Sequence, residues 1–496
     1  MSKSVVRLGL LLLVAFGLRL LFLGRQSLWL DEFGSWAFAS RDIRHVLQSE
    51  PTNPPVYYLL LHYWIRVFGT SEWGLRSLSI VPSVISVWLV YVFSKELFDD
   101  AIAYLATAYQ TLSTFQIYYA QEARCFALLE MILLAATICL WRALGSGISR
   151  RRHLYYGCYT LLSALALYTH FITVFFLAGH GIYALLRKPR QVWNAALSIG
   201  VSLLLFFPWL LTMVHVAGKG GQIRRYLGLK LPQAYFSFLY GDSLIPLDDQ
   251  AVRHVTQTLV TNWWILLAAF VSLALLVPFA RIAWKDWREQ MWFVLAMGIV
   301  PVLFAFLVSF KIMLFSQRYL IPASPFVYMA VAAIIWEIWV AWGSKRLPMR
   351  TVYGGWASCG LYVMLLALSL RNYYFNPRFG KEEWREADAY IDGVAKSGAQ
   401  TLIVFDPDYL ISCYRYYSKR NLPAWQVTPP IEAALTEPNA MLDQHTQGYE
   451  QILLVRSHDE DETVVRAFQK SFIQESYRKF TTANPIEVYS FRKPPQ

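Results

Sequence analysis

Eleven apolar runs, separated by short polar connections, constrain this sequence more strongly than any motif in it. They lie at residues 5–23, 75–98, 101–118, 124–144, 154–170, 171–186, 192–213, 257–280, 290–310, 320–342 and 351–370. A straight helix needs about 20 apolar residues to cross a bilayer, and some of the runs are shorter. With 56% hydrophobic and only 16% charged residues, however, the chain is not a soluble enzyme with one core. The predicted fold is mainly α, a polytopic transmembrane bundle of about eleven spans.

Basic residues in the connections predict how this bundle is oriented. If the first run is an uncleaved helix with its N-terminus in the cytoplasm, five connections lie inside, and every one of them is basic. Their basic residues are Lys95; Arg142, Arg150, Arg151 and Arg152; Arg187, Lys188 and Arg190; Arg281, Lys285 and Arg288; and Lys345, Arg346 and Arg350. The positive-inside rule requires this distribution. The net charge of +12 therefore reflects topology and does not indicate a nucleic-acid partner.

The opposite side of the predicted bundle collects polar residues that interrupt the apolar pattern. They are Asp31 and Glu32 in the long first outer loop, residues 24–74; Glu122 and Arg124 after the third run; His170 after the fifth; Arg224 and Arg225 after the seventh; and Arg318 and Tyr319 before the tenth. The orientation was assigned without them, so their convergence independently indicates a site at the outer helix ends.

The polar composition after residue 370 separates a membrane domain, residues 1–370, from a C-terminal domain, residues 371–496. Strands are predicted at 401–405, 451–455 and 486–491, and helices at 381–394, 409–418 and 463–472. This order predicts a small α/β domain. With eleven spans it lies outside, on the side of Asp31 and Glu32, but the sequence shows no catalytic constellation within it.

Short motifs and cysteines add no further chemistry. The five cysteines form neither a disulfide framework nor a metal-ligand spacing. Residues 218–221 precede Arg224 and Arg225 without the spacing of a phosphate loop, so we interpret a flexible basic segment able to meet a lipid phosphate. Gly241-Asp242-Ser243-Leu244 spells a hydrolase motif in a loop rather than after a buried strand, and we interpret it as a chance match.

Several motifs together resemble the integral-membrane glycosyltransferases of the GT-C superfamily. They are Asp31-Glu32 in a long first loop; Asn53 to His62, followed by Phe68-Gly69; Arg76 at the second run; Tyr119 to Arg124; Tyr168-Thr169-His170; and Arg318-Tyr319-Leu320. The likeness covers residues 1–345. It is greatest to the bacterial branch that also resembles protein O-mannosyltransferases and the aminoarabinose transferase of lipid A.

The resemblance implies an enzyme of the inner (plasma) membrane that transfers a sugar from a polyprenyl-phosphate donor to an extracytoplasmic glycan, lipid or protein. It assigns the role of catalytic base to Asp31, which takes the acceptor's proton during an inverting attack on the anomeric carbon. Glu32 is then a supporting residue. Glu122 is the other carboxylate at the same helix ends.

The leaving group of this reaction is a lipid phosphate, so cations must meet its developing charge, and Arg318 and Arg124 are placed to do so. The predicted substrate-binding residues are Arg124, His170, Arg224, Arg225, Arg318 and Tyr319. The sequence is compatible with a bound divalent metal ion and equally with none. Glu32, Glu122 and His170 could help to hold one, but a rigid carboxylate–arginine network between Glu122 and Arg124 would explain those residues equally well.

Two other function classes compete with a sugar transferase. A transporter should carry its charges near the bilayer midplane and show an internal repeat, whereas these charges cluster at one surface and we find no repeat. A membrane ligase that moves whole glycans from a lipid carrier would share the arginine-rich outer side. The adjacent Asp31 and Glu32 in a long first loop favour the sugar transferase.

A reporter fused after Gln496 is expected to lie on the outer side of the membrane, because an odd number of spans carries the chain across from an inner N-terminus. A reporter inserted beside Arg151 should stay inside and serves as the control. A cytoplasmic C-terminus would contradict the orientation and, with it, the grouping of the polar residues on one side.

Overall fold

The chain divides into two compact units. The computed structural model describes residues 3–48, 54–145, 150–214, 227–246, 255–312, 314–396, 400–427, 442, 444–458, 462–482 and 484–494. The first unit contains residues 1–23 and 38–375, and the second contains residues 24–37 and 376–496. The C-terminal unit therefore includes a piece of the first outer loop, the piece that carries Asp31 and Glu32.

The described residues of the first unit form helices. In chain order these are α1 (Lys3–Leu20), α2 (Leu30–Ala39, of which residues 30–37 belong to the second unit), α3 (Ile43–Gln48), α4 (Val56–Phe68), α5 (Glu72–Leu97), α6 (Asp100–Leu112), α7 (Thr114–Ala120), α8 (Phe126–Gly145), α9 (Arg150–Leu167), α10 (Thr173–Arg187), α11 (Val192–Val214), α12 (Leu227–Tyr240), α13 (Val255–Thr261), α14 (Trp263–Asp286), α15 (Arg288–Val308), α16 (Ser324–Ser344) and α17 (Met349–Phe375). Short 3-10 segments cover Pro189–Gln191 and Gln317–Ala323.

Each of the eleven apolar runs is helical, which confirms a mainly α, multi-span membrane protein. Within the described residues, seven helical stretches are long and apolar enough to cross a membrane. They are Glu72–Leu97, Phe126–Gly145, Pro189–Thr212, Trp263–Asp286, Arg288–Val308, Gln317–Ser344 and Met349–Phe375. The number of eleven spans and the orientation stay predictions.

The third apolar run, 101–118, is two helices rather than one. Ser113 leaves the helical conformation with a ψ of 118°, and its Oγ accepts the backbone N–H of Gln116 at 3.4 Å. A serine in this position caps the following helix and ends the preceding one. The chain therefore turns into α7, which leads directly to the link that carries Glu122 and Arg124.

Glu130 of α8 organises a buried polar network in the first unit. Its Oε1 and Oε2 each accept a side-chain N–H at 2.6 Å, from Gln110 and Gln116 respectively. Gln116 also donates to Oγ of Ser324 at 2.8 Å, and Arg19 of α1 donates to the carbonyl oxygen of Gln110 at 3.2 Å. An apolar interior penalises every unsatisfied polar group, so these bonds fix α1, α6, α7, α8 and α16 relative to one another.

A five-stranded sheet forms the centre of the second unit. Its strands are β1 (Thr401–Asp406), β2 (Ala424–Gln426), β3 (Gln451–Arg456), β4 (Ile473–Phe480) and β5 (Ile486–Arg492), in the order β2-β1-β3-β5-β4. β1 is parallel to β2 and β3, whereas β5 is antiparallel to β3 and β4. The helices are α18 (Trp384–Val394), α19 (Ile411–Tyr417) and α20 (Thr463–Ser471). The predicted α/β class is confirmed.

Two strands, β2 and β4, were not predicted from the sequence. β1 and β3 are buried along their whole length and read as apolar runs, whereas β4 is exposed at nearly every position. β4 is an edge strand with an irregularity between Gln474 and Ser476, so it lacks an alternating pattern.

Residues 24–37 are built into the second unit by specific contacts. The backbone N–H of Leu28 donates to the hydroxyl of Tyr417 at 2.9 Å. Phe33 is fully buried, with its ring centroid 5.8 Å from that of Tyr417 and 6.3 Å from that of Trp384. The amino end of α2 is therefore held by the C-terminal unit.

Replacing Glu130 with Ala should lower the thermal denaturation midpoint of the detergent-solubilised protein. The change leaves two buried amide donors without their acceptor, at a cost of about 1–3 kcal/mol each. Glu96→Ala is the control, because its ion pair with Arg142 is partly exposed (side chains 30% and 36%) and should contribute about 0–1 kcal/mol. Equal midpoints for the two variants would contradict an organising role for Glu130.

Candidate active site

The short link between α7 and α8 carries two of the predicted site residues. Glu122 is fully buried. Arg124 donates from Nη1 to the hydroxyl of Tyr58 at 3.2 Å, and its guanidinium lies 5.7 Å from the ring centroid of Phe126. An aromatic face attracts a guanidinium and limits its hydration, so Arg124 is held in a defined place.

The 3-10 segment Gln317–Ala323 brings Arg318 and Tyr319 to the same corner of the bundle. The ring of Tyr319 lies 4.7 Å from the imidazole of His170 and 5.9 Å from the ring of Phe126. The guanidinium of Arg318 lies 5.3 Å from the ring centroid of Tyr319. Two arginines, each against its own aromatic ring, therefore flank His170.

Tyr119 of α7 lies near charged residues from two different segments of this corner. The charges of Glu122 and Arg318 both act on its hydroxyl, and its ring lies 5.5 Å from that of Phe126. Five predicted site residues thus lie together within the first unit, and we call them the arginine cluster: Glu122, Arg124, His170, Arg318 and Tyr319.

His170 is electrically neutral. Burial, followed by the positive charges of Arg124 and Arg318, lowers the pKa of the imidazole to about 3. Its Nδ1 is 3.2 Å from the backbone N–H of Ile172, so it accepts that hydrogen and the ring proton is on Nε2. An anion at this corner would meet two permanent cations and one neutral N–H donor.

Asp242 also lies at this corner, although its motif was interpreted as a chance match. Gly241 adopts a φ of +84°, and a Cβ there would lie 1.7 Å from Oγ1 of Thr114, so only glycine fits this turn after α12. The negative charge of Asp242 acts on Tyr118 and Tyr119. Burial raises the pKa of Asp242 to about 6. A glycine–acid pair after a helix, on the predicted outer side, is the signal that could have identified it.

Asp31 and Glu32 lie in the first turn of α2, in the second unit. The positive end of the helix dipole stabilises both carboxylates. Glu32 also accepts the backbone N–H of Trp29, the residue before the helix, at 3.4 Å, as the acidic residue of a capping box does.

The two neighbouring carboxylates have different surroundings. Glu32 is fully buried and pairs with the Lys381 ammonium at 3.2 Å, whose side chain is 3% exposed. Asp31 is half-buried, so part of this residue is accessible. The partner of Glu32 was not visible in the sequence because Lys381 lies 349 residues further along the chain.

The remaining predictions about the site concern Arg224, Arg225 and a metal ion. Arg224 and Arg225 lie outside the described residues. Within the described ranges, no group of three or more histidine, cysteine, aspartate or glutamate side chains is arranged to hold a metal ion. In that part of the chain, Glu32, Glu122 and His170 do not form such a group.

Comparison with known proteins relates the sequence to lipid-dependent sugar transferases. A model of the family described as dolichyl-phosphate-mannose-protein mannosyltransferase matches residues 52–212. The undecaprenyl phosphate-alpha-4-amino-4-deoxy-L-arabinose arabinosyl transferase of Pseudomonas paraeruginosa is 31% identical over 226 residues, which are 41% of this chain and 40% of that protein. The chain thus spans less than half of the length of this curated relative.

Solved structures share the architecture across the whole chain. ArnT from Cupriavidus metallidurans in the apo state aligns with 98% of both chains, with a TM-score of 0.60 and 13% identity. The chain has the GT-C fold. The same ArnT bound to undecaprenyl phosphate aligns with a TM-score of 0.53 and 12% identity, over 99% of this chain and 98% of that one. The GT-C fold predicted from the motifs is thereby confirmed, and so is the resemblance to aminoarabinose transferase.

We predict that Arg318→Ala lowers kcat/KM for a polyprenyl-phosphate sugar by about 10²–10³-fold, because a developing phosphate charge would lose the guanidinium expected to stabilise it. Arg318→Lys should recover only part of this, since an ammonium cannot form two parallel bonds to a phosphate. Arg142→Ala, which removes an arginine from a partly exposed ion pair, is the control. Unchanged donor kinetics in Arg318→Ala would remove Arg318 from the site.

Proposed function

We propose that this protein transfers one sugar from a polyprenyl-phosphate donor to an acceptor on the outer side of the inner membrane. The observation that carries the proposal is the arginine cluster, in which two guanidiniums flank a neutral histidine. The similar proteins support the donor class, since the arabinosyl transferase is named for an undecaprenyl phosphate sugar and ArnT was solved with undecaprenyl phosphate bound. The acceptor is a hydroxyl or amine of a glycan, lipid or protein.

The donor phosphate is met by Arg124 and Arg318. As the bond between the anomeric carbon and the phosphate oxygen breaks, the phosphate keeps the electron pair and becomes more negative. Both guanidiniums are already held against aromatic rings, so they stabilise this charge without first having to reorganise. The Nε2–H of neutral His170 adds a donor without competing for a proton.

The acceptor proton is taken by Asp31. The acceptor oxygen or nitrogen forms the new bond to the anomeric carbon on the face opposite the phosphate, which inverts that centre, while its proton moves to the carboxylate. Glu32 is unsuited to this role because its carboxylate is buried in the ion pair with Lys381. Glu32 instead holds the first turn of α2, and thereby Asp31, in place.

Asp31→Asn should lower turnover about 10²–10⁴-fold while the protein stays folded and binds the lipid donor, because an amide keeps the shape of the carboxylate but cannot accept the proton. The measurement is transfer of a radiolabelled polyprenyl-phosphate sugar by purified protein in proteoliposomes, with the labelled product identified. Near-normal turnover of Asp31→Asn would move the search for the base to Glu122. Transfer of a whole glycan instead of one sugar would favour the ligase.

Glu32→Gln tests the division of roles between the two acids. It should cost less turnover per folded molecule than Asp31→Asn, but more thermal stability, since it leaves the Lys381 ammonium buried without its counter-charge, at about 3–5 kcal/mol. The double variant Glu32→Gln/Lys381→Met removes both charges and should recover stability. A folded Glu32→Gln enzyme that is less active than Asp31→Asn would reverse the assignment.

A further inference from the structure

A groove runs along the surface of the first unit between α1, α6, α16 and α17, and its volume is about 660 Å³. Volumes of this size are typical of sites that bind a small molecule. The lining is aliphatic and aromatic except for Arg7 of α1, the only charged residue among the described residues that line the groove. We call it the tryptophan groove because Trp336, Trp339 and Trp356 line it.

The side chains of the tryptophan groove are open to the surroundings of the bundle. Leu10 is 57% exposed, Val14 46% and Trp339 60%. In a chain that crosses a membrane, lipid chains cover such a surface, and apolar residues alone do not select one lipid from another. A concave surface between several helices differs, because one chain lying in it is contacted from more than one side. The groove therefore has the shape to hold a single acyl chain.

The groove lies at the end of the bundle opposite the arginine cluster. Trp336 of α16 lies about 20 Å along the helix axis from Ala323, because each helical residue adds about 1.5 Å. Ala323 ends the 3-10 segment that carries two members of the arginine cluster. The basic connection at residues 345–350 follows α16, so the positive-inside rule predicts that the groove faces the inner leaflet. A lipid in the groove is therefore separate from a donor at the arginine cluster.

Aromatic rings indicate the depth of this end of the bundle in the membrane. The indole ring of Trp356 lies 6.2 Å from that of Trp339 and 6.4 Å from that of Trp342, so these rings join α17 to α16. Exposed tryptophans collect at the level of the lipid headgroups. A lipid whose acyl chain lies in the groove thus has its headgroup within reach of Arg7, which lines the same groove.

Arg7 has a defined place and an unpaired charge. The hydroxyl of Tyr104, which also lines the groove, donates to the carbonyl oxygen of Ser4 at 2.9 Å and so fixes the first turn of α1 against α6. Arg7 is exposed and forms no ion pair within the part of the chain that the structure describes. A guanidinium can donate two parallel hydrogen bonds to a phosphate.

The surroundings of Arg7 favour an anionic lipid over a zwitterionic one. A choline or ethanolamine headgroup brings an ammonium, for which the described lining of the groove provides no carboxylate. Asp100, at the start of α6, already pairs with the Lys95 ammonium at 2.8 Å and accepts the hydroxyl hydrogen of Tyr91 at 2.9 Å. A phosphate whose charge is not offset within its own headgroup therefore gains most from Arg7.

We propose that the tryptophan groove binds an anionic glycerophospholipid of the inner leaflet, with one acyl chain along the apolar lining and the phosphate bound by Arg7. Basic pockets between transmembrane helices recognise lipid headgroups in this way. In filling the groove, the lipid joins α1 to α16 and α17. The inference is independent of the proposed sugar transfer, because the arginine cluster lies at the other end of the bundle.

The test compares phosphatidylglycerol with phosphatidylcholine of the same acyl chains. The full-length protein is purified in a neutral detergent, and native mass spectrometry gives the dissociation constant of the first lipid retained. The wild type should bind phosphatidylglycerol about fivefold more tightly, which is the effect of one basic residue near an anionic lipid. A photoreactive group in the acyl chain should label peptides of α1, α6 or α16 and thereby locate the bound chain.

Four variants separate charge from shape. Arg7→Gln should raise the dissociation constant for phosphatidylglycerol about fivefold and leave that for phosphatidylcholine unchanged. Arg7→Lys keeps the charge and should retain most of the preference. Ala108→Phe fills the groove and should weaken both lipids and their labelling. Arg150→Gln is the matched control, because Arg150 is also exposed but starts α9, none of whose described residues lines the groove.

Several outcomes would overturn the inference. They are equal binding of the two lipids by the wild type, a preference that survives in Arg7→Gln, and a preference that Arg150→Gln reduces as much as Arg7→Gln does. Labelling confined to other helices would reject the groove, and dimers with an unlabelled groove would show that a second copy covers it. Displacement of phosphatidylglycerol by undecaprenyl phosphate would show that the groove holds the donor's chain instead. Sugar transfer by Asp31→Asn is measured separately, so either proposal can fail without the other.

Discussion

Glu32 is fully buried, and an ionised carboxylate in that position is tolerated because the Lys381 ammonium lies 3.2 Å away. The pair joins the first turn of α2 to the C-terminal unit. Asp31 precedes Glu32 in the same helical turn, so the pair of Glu32 and Lys381 also helps to fix the position of Asp31. The ion pair and the buried Phe33 together make residues 24–37 part of the second unit instead of a loop of the bundle.

The need of a buried charged group for partners also orders the first unit. Glu130 and Arg19 are almost inaccessible, and each is surrounded by donors or acceptors from other helices. Gln116, which bonds both Glu130 and Ser324, links α7 to the start of α16. The link with Glu122 and Arg124 follows α7, and the segment with Arg318 and Tyr319 precedes α16. One buried network thus sets the spacing of the arginine cluster.

The chemistry of the arginine cluster depends on two charged guanidiniums beside an uncharged imidazole. Burial, and after it the charges of Arg124 and Arg318, lowers the pKa of His170, so the imidazole does not compete with a substrate for protons but can still donate from Nε2. The negative charges of Glu122 and Asp242 and the positive charge of Arg318 all act on Tyr119. Such a corner suits an anionic group better than a sugar hydroxyl, which is why we propose it as the place of the donor phosphate.

The sequence alone determined the membrane bundle, the C-terminal α/β class and five members of the arginine cluster, because apolar runs, buried strands and polar residues at helix ends leave local patterns. It could not reveal Lys381 beside Glu32 or the exposed edge strand β4. The pairing joins residues far apart in the chain, and the edge strand has no periodic pattern to detect. The sequence did show the pair Gly241-Asp242. Its place at this corner became visible only in the folded chain, where Gly241 lies against Thr114 and the charge of Asp242 acts on Tyr119. Only the tertiary structure decided that Glu32 is fully buried beside Lys381 whereas Asp31 is half-buried, because burial and charge pairing depend on elements that meet only after folding.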